Sequence, residues 1–218
     1  MSNPQTSQTC PLCESGDVSA IARDRYRDYL RCAICDLVFV PPTQHISLEA
    51  EKARYDQHRN SPDDLAYRGF LSRLFVPLQQ RLAPGSRGLD FGSGPGPTLS
   101  VMFEEAGYTM ALYDPFYAPD VRAIETTYDF ITATEVVEHL REPRAALDRL
   151  WSCLKPGGIL GLMTKLAPHR EPFTAWHYTN DETHICYFSR ATFEWLAARW
   201  QADVTFIGAD VILLHKRT

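Results

Sequence analysis

The chain lacks the features of a membrane or exported protein. No apolar run approaches the roughly 18 residues that cross a bilayer. The opening Met1-Ser2-Asn3-Pro4-Gln5 has no apolar core of a signal peptide. There is no internal repeat and no low-complexity tract. Positive charge is not in excess either: the net charge is −5 over 218 residues, which weighs against a dedicated nucleic-acid binder. A cytoplasmic protein with one substantial domain and a small appendage is the expectation. Cysteine is scarce after residue 36. Four of the six precede it, and Cys153 and Cys186 stand alone, as small buried hydrophobes do.

Those four form Cys10-Pro11-Leu12-Cys13 and Cys32-Ala33-Ile34-Cys35, two C-x2-C knuckles with 18 residues between them. The spacing falls in the range of a zinc site. Each knuckle offers two thiolates on one turn, and two knuckles complete a tetrahedron. The segment is too short to fold on apolar burial alone, so metal binding would supply its folding energy. Residues 1–42 are therefore expected to be a zinc ribbon, with strands near 18–22, 28–31 and 37–40. Redox or disulfide cysteines are the alternative, disfavoured in a reducing compartment. The ribbon mixes acidic and basic residues, which favours packing or substrate contact over nucleic-acid binding.

Residues 43–85 read as a helical cap and linker. Ser47 caps a helix over 47–59, residues 60–64 make a turn, and a second helix over 65–82 carries Leu65, Phe70, Leu71, Leu74, Phe75 and Leu78. Pro77 is expected to kink it. Tyr55, His58, Asn60 and Tyr67 are groups that could line a pocket beneath this cap, although each alone fits an ordinary core or surface position.

The centre of the chain is Gly88-Leu89-Asp90-Phe91-Gly92-Ser93-Gly94-Pro95-Gly96. An apolar strand leads into alternating glycines, then into an amphipathic run that begins after Pro97 and stops at Gly107. Glycines at such a strand–turn–helix junction let backbone approach a ligand and aim N–H groups at it. Gly92 and Gly94 match the first two glycines of the dinucleotide fingerprint, but Pro97 stands at the third, against a nicotinamide oxidoreductase. A second strand over 108–113 ends in Asp114, about 20 residues on, where a carboxylate can accept from ribose hydroxyls. A turn cap ahead of Pro115 is its structural alternative. A third strand near Ala123 and Ile124 has room only in abbreviated form. Residues 128–134 read as a fourth strand, 144–154 as a helix, 155–158 as a turn and 159–164 as a fifth strand. Ser189 caps a helix over 190–200, and residues 204–207 and 211–215 form a closing hairpin.

The D-x-G-x-G-x-G spacing (Asp90, Gly92, Gly94, Gly96), Asp114, and the succession YDFITATEVVEHL and LKPGGILGLMT resemble class I S-adenosylmethionine-dependent methyltransferases. The resemblance covers residues 86 to 165 in order. It implies an α/β, Rossmann-like doubly wound sheet of seven strands, the last antiparallel, in a domain over 86–218. It also implies S-adenosylmethionine held by Asp90, Phe91, Gly92, Ser93, Gly94, Gly96, Asp114, Pro115, Thr134 and Glu135. Ligands of open α/β sheets sit at the carboxyl ends of the strands, so the segment 173–184 should share that cleft.

An oxygen or nitrogen acceptor must lose a proton, and His139 and His184 are the candidate bases. Glu135, Glu138 and His139 also form E-x-x-E-H. A similar motif with a later histidine binds a divalent cation in small-RNA 2′-O-methyltransferases and ubiquinone-pathway O-methyltransferases. Glu135, Glu138, His139 and His184 are thus a candidate second metal site, of a composition that suits Zn²⁺ or Fe²⁺ better than Mg²⁺. A structural role for Glu138 and His139 stays open. The leading expectation is a small-molecule methyltransferase. RNA methylation through the ribbon is an alternative, as is a non-catalytic interaction module.

Overall fold

Two knuckles with the same backbone hydrogen bonding open the described chain. The Cys10 N–H donates to Ser15 O and Glu14 N–H to Cys10 O, both at 2.9 Å; Cys32 N–H donates to Leu37 O and Asp36 N–H to Cys32 O, both at 3.0 Å. Glu14 (φ 64°) and Asp36 (φ 60°), each directly after a knuckle's second cysteine, are left-handed, which folds each C-x2-C back on itself. A computed structural model of the protein describes residues 8–57, 60–168 and 173–218. His58 lies outside them, as does the end of the helix expected over 47–59.

From the first knuckle the chain runs into β1 (Val18–Arg23), β2 (Asp28–Cys32) and β3 (Val38–Phe39), all antiparallel. Next comes α1 (Leu48–Tyr55), where Ser47 Oγ accepts from Ala50 N–H at 3.2 Å. In α2 (Leu65–Gln79) the Asp64 carboxylate caps the amides of Ala66 and Tyr67. This helix runs through Pro77 for two more residues; the ring sits so near the end that few later bonds are lost. Leu71, Leu74 and Leu78 are its buried face.

The main sheet begins with β4 (Arg87–Phe91), followed by α3 (Thr98–Glu105), β5 (Thr109–Tyr113), β6 (Tyr128–Thr134), α4 (Pro143–Ser152) and β7 (Leu154–Met163). After β8 (Cys186–Tyr187) come α5 (Arg190–Trp200), β9 (Asp203–Ile207) and β10 (Val211–His215). Ser189 and Thr192 form the capping box of α5. Among the described residues the strand order is β5-β4-β6-β7-β10-β9. The first four strands are parallel, and β10 is antiparallel to β7 and β9.

This is the doubly wound sheet with an antiparallel closing strand, built from six strands where seven were expected. The missing one is the abbreviated third strand. Ala123 and Ile124 lie in a 3-10 turn, Val121–Glu125, because the Asp120 carboxylate caps Arg122 N–H and too few residues remain before β6 to cross and return. Residues 155–158, expected as a turn, belong to β7 instead. Gly157 takes a φ of 76° there, and a register shift between Tyr128 and Phe130 absorbs the irregularity.

The ribbon is not a free appendage. Val38 pairs with Tyr187 and Phe39 with Cys186, so β8 completes a four-stranded sheet β1-β2-β3-β8. The buried Cys10, Leu12, Tyr29, Leu37 and Phe39 belong to the same apolar cluster as Leu89, Tyr128 and Leu160 of the main sheet. Packing of the ribbon on the main domain, one of the expected roles, is what the fold has.

Candidate active site

The carboxyl ends of β4, β5 and β6 open into a cavity of about 570 Å³. It is walled by the glycine turn, by Asp114 to Tyr117, by Thr134 to Val136, and by Tyr55, Asn60 and Tyr67 from the leading segment. Of the residues expected to hold a cofactor, Phe91, Gly92, Ser93, Gly94, Asp114, Pro115, Thr134 and Glu135 line it. Gly92 needs its missing side chain twice over: its φ is 73°, and a Cβ would meet Val136 Cγ2 at 2.5 Å. Gly96 does not line the cavity. A Cβ there would strike Asn60 O at 2.2 Å, so this glycine lets the leading segment close over the turn.

Asp90 is also displaced from the expected role. It is fully buried below the turn, accepting from Ser100 Oγ at 3.0 Å and Thr132 Oγ1 at 2.8 Å. Burial pushes its carboxyl up to about 6. It braces the first turn of α3 and the neighbouring strand instead of facing the cavity.

Asp114 is a turn cap, the structural alternative, and lines the cavity as well. Oδ1 accepts from Phe116 N–H and Tyr117 N–H at 2.8 and 3.0 Å, as a turn cap; Oδ2 accepts from Gly94 N–H at 3.0 Å. A carboxylate has further lone pairs for a ligand hydroxyl. Two cavity-lining hydroxyls, Ser93 Oγ and Thr134 Oγ1, are buried with no protein partner. Buried polar groups require partners, and a nucleoside cofactor in this cavity would supply them. Glycine turn, carboxylate and orphan hydroxyls therefore fit such a group.

The other half of the cavity is acidic and histidine-bearing. Glu135 has a φ of 53°, a left-handed conformation unusual outside glycine. It turns the chain sharply after β6, into a 3-10 turn at Val137–His139. Tyr178, which the sequence left without a role, reaches between the two glutamates. Its hydroxyl donates to Glu138 Oε1, lies 3.2 Å from Glu135 Oε2 and 3.4 Å from Thr164 Oγ1. Burial raises Glu135 to about 8, with help from the charge of Glu138, and burial raises Glu138 to about 7.

The histidines come together at a ring-centroid distance of 4.7 Å. His139 Nδ1 meets Thr183 O at 3.1 Å and His184 Nδ1 meets Tyr178 O at 2.8 Å. A carbonyl only accepts, so each Nδ1 carries a proton, and in the neutral ring Nε2 carries the lone pair. Burial and the nearby His139 lower His184 to about 4. It stays neutral at physiological pH, and its low basicity makes it a better ligand or hydrogen-bond acceptor than a proton store. One ligand atom each from Glu138, His139 and His184 falls within 4.8 Å of the others, and Glu138 Oε2 is buried without a partner. This trio fits a divalent transition metal. Glu135, the fourth candidate, lies outside it.

The four knuckle thiols also converge within 4.8 Å of one another, with Cys10–Cys35 at 3.5 Å and Cys13–Cys32 at 3.3 Å. The hydrogen bond from Cys35 lowers Cys10 to about 5, whereas burial lifts Cys13 to about 11. Four cysteine sulfurs within this distance are a donor set that could hold zinc.

The chain belongs to the methyltransferase domain family, whose profile matches residues 55–205. Over 47 residues it is 47% identical to the tRNA 5-carboxymethoxyuridine methyltransferase of Escherichia coli; that stretch covers 21% of this chain and only 18% of the relative. A SAM-dependent methyltransferase from Methanosarcina mazei is similar in structure, with a TM-score of 0.50 and 14% identity over 65% of this chain and 97% of its own. The 1,6-didemethyltoxoflavin-N1-methyltransferase of Burkholderia thailandensis, solved with bound 1,6-didemethyltoxoflavin and S-adenosylhomocysteine, matches at a TM-score of 0.49 and 14% identity, covering 91% of this chain and 99% of that one. At such identities the likeness concerns the fold alone.

Proposed function

We propose that this family member is an S-adenosylmethionine-dependent methyltransferase acting on an oxygen or nitrogen of a small molecule. One observation carries this: a single cavity joins the glycine turn, Asp114 and two orphan hydroxyls to a wall bearing His139, His184 and Glu135. When bound, S-adenosylmethionine supplies an activated sulfonium methyl, which leaves the protein chiefly the task of positioning.

The residues divide the work. Gly92 and Gly94 let backbone approach the cofactor, Asp114 accepts from its ribose hydroxyls, and Ser93 Oγ and Thr134 Oγ1 gain the partners they lack. Tyr55, Asn60 and Tyr67 close the cavity from above and exclude water. On the acceptor side, Nε2 of His139 or His184 takes a hydrogen bond from the acceptor and orients it. Were Glu138, His139 and His184 instead to hold a divalent metal, each Nε2 would be a ligand, and the metal in place of the histidines would lower the acceptor's pKa. The ribbon cysteines Cys10, Cys13, Cys32 and Cys35 hold a structural zinc.

The short match to a tRNA-modifying enzyme favours RNA as a second reading. Residues 46–87 carry seven basic against five acidic side chains. Retention on heparin at physiological salt would support it, since phosphate contacts dominate such binding.

Calorimetric titration of the zinc-loaded protein with S-adenosylmethionine, with NAD in parallel, tests the proposal. Micromolar binding of S-adenosylmethionine alone is expected. Binding of neither would overturn it in favour of an interaction module.

A further inference from the structure

The ribbon contributes one side chain that its own stability does not explain. Arg27 sits at the tip of the β1–β2 hairpin, only 7% exposed. The turn is held by Asp24, which accepts from Tyr26 N–H at 2.7 Å and Arg27 N–H at 2.6 Å through Oδ1, and from Tyr29 OH at 2.5 Å through Oδ2. From there the guanidinium leaves the ribbon. Nη1 donates to Asp181 O at 3.1 Å and His184 O at 3.2 Å, and Nη2 donates to Thr179 O. Tyr187 OH donates to the same His184 carbonyl at 2.9 Å. Among the described residues the carboxylate paired with Arg27 is Asp24, 3.5 Å from Nε.

A buried cation is costly to desolvate, and is kept only where its donors are satisfied. Here most are spent on main-chain carbonyls of one short segment, residues 179–184. That segment holds His184, follows Tyr178 directly, and presents the Thr183 carbonyl that orients His139. It has little regular structure of its own: a 3-10 turn at His177–Asn180 and then two residues of β8. The planar guanidinium fork reaches three carbonyls that a point charge could not span together. β8 ties the other end, since Val40 N–H donates to Ile185 O and Ile185 N–H to Glu138 O, at 2.9 and 2.8 Å.

We infer that Arg27 is a positioning residue for the acceptor side of the cavity. Through it, the cysteine ribbon holds the His184 segment in its working geometry. This rests on the methyltransferase reading for what the geometry serves, but the clamp itself is measurable without substrate or cofactor.

The experiment compares full-length wild type, Arg27→Gln and Arg27→Lys, all zinc-loaded. Zinc content, S-adenosylmethionine affinity and amide hydrogen exchange are measured, together with the nitrogen NMR signature of His184. In Arg27→Gln, zinc content and cofactor affinity should match wild type, while exchange at residues 179–187 rises by about tenfold or more, the scale of one or two lost hydrogen bonds. The Nδ1-protonated signature of His184 should give way to mixed tautomers. Arg27→Lys should be intermediate, because it keeps the charge and loses the fork. Unchanged exchange and an unchanged His184 signature in Arg27→Gln would overturn the clamp. So would a loss of protection spread evenly over the ribbon and the glycine turn. Failure of wild type to bind S-adenosylmethionine would overturn the methyltransferase reading instead, and the exchange data would still decide the clamp.

Discussion

The Gly94 amide donates to Asp114 Oδ2 at 3.0 Å, so the end of one strand holds the glycine turn that follows its neighbour. The same carboxylate caps Phe116 and Tyr117. Asp114→Ala therefore loosens the turn and, under the proposed function, also removes an acceptor for the cofactor's ribose. Cofactor affinity should fall by about 1–3 kcal/mol, the scale of a hydrogen bond to a charged group. Calorimetry checks it, and wild-type affinity in the variant would mean that the ribose lies elsewhere.

Cys13→Ser should cost the protein its ribbon zinc. Its sulfur sits 3.3 Å from Cys32, and among the described residues the cluster has no fifth donor to replace it. Because β3 pairs with β8, exchange protection should also fall at residues 186–187. Zinc analysis with amide exchange reads both. Stoichiometric zinc in the variant would contradict the four-cysteine site.

The buried Asp90 should make stability pH-dependent. Its carboxyl is raised from 3.8 to about 6 in the folded state, so between these values the folded chain holds a proton that the unfolded chain has released. Stability falls as pH rises through that window, by about 3 kcal/mol in total. Asp90→Asn removes this contribution, so it should gain on wild type from pH 4 to 7 in urea unfolding. Parallel curves for the two proteins would refute it.

A divalent metal at Glu138, His139 and His184 should bind better at pH 8 than at pH 6. Glu138, raised to about 7 by burial, must ionise to ligate, and ligand protons compete with metal. Cobalt added to zinc-loaded protein should raise the melting temperature by about 2–4 °C, a shift near 1 kcal/mol for a chain of this size. Glu138→Gln should abolish the shift. Equal shifts in both proteins would locate the metal elsewhere.

Tyr178→Phe should leave Glu138 without its hydroxyl donor and Glu135 without the hydroxyl 3.2 Å away. Both carboxyls should then titrate at still higher pH, and stability should drop by about 1–3 kcal/mol, more at pH 8 than at pH 5. Urea unfolding at the two pH values measures it, and a loss that is equal at both would show that the hydroxyl does not serve the carboxylates.

What the sequence determined by itself is local. A left-handed turn favours glycine, so Gly92 and Gly94 marked the turn after β4; a helix start favours an oxygen cap, so Ser47 and Ser189 marked two helices. Two C-x2-C knuckles have few uses besides a tetrahedral metal site. Each signal lies within a few residues, and its chemistry does not depend on what packs around it. Only tertiary structure could decide the rest. Asp90 and Gly96 belong to the same motif as Gly92 and Gly94, yet strand direction and the approach of Asn60 turn them away from the cavity. Tyr178 acquires a role only because residues 177–184 fold back beneath Glu138. The ribbon joins the site only because Val38 pairs with Tyr187 and Arg27 reaches His184, contacts that span about 150 residues of sequence. No periodicity encodes such pairings; they are set by which apolar faces bury together and which buried polar atoms are then left to satisfy one another.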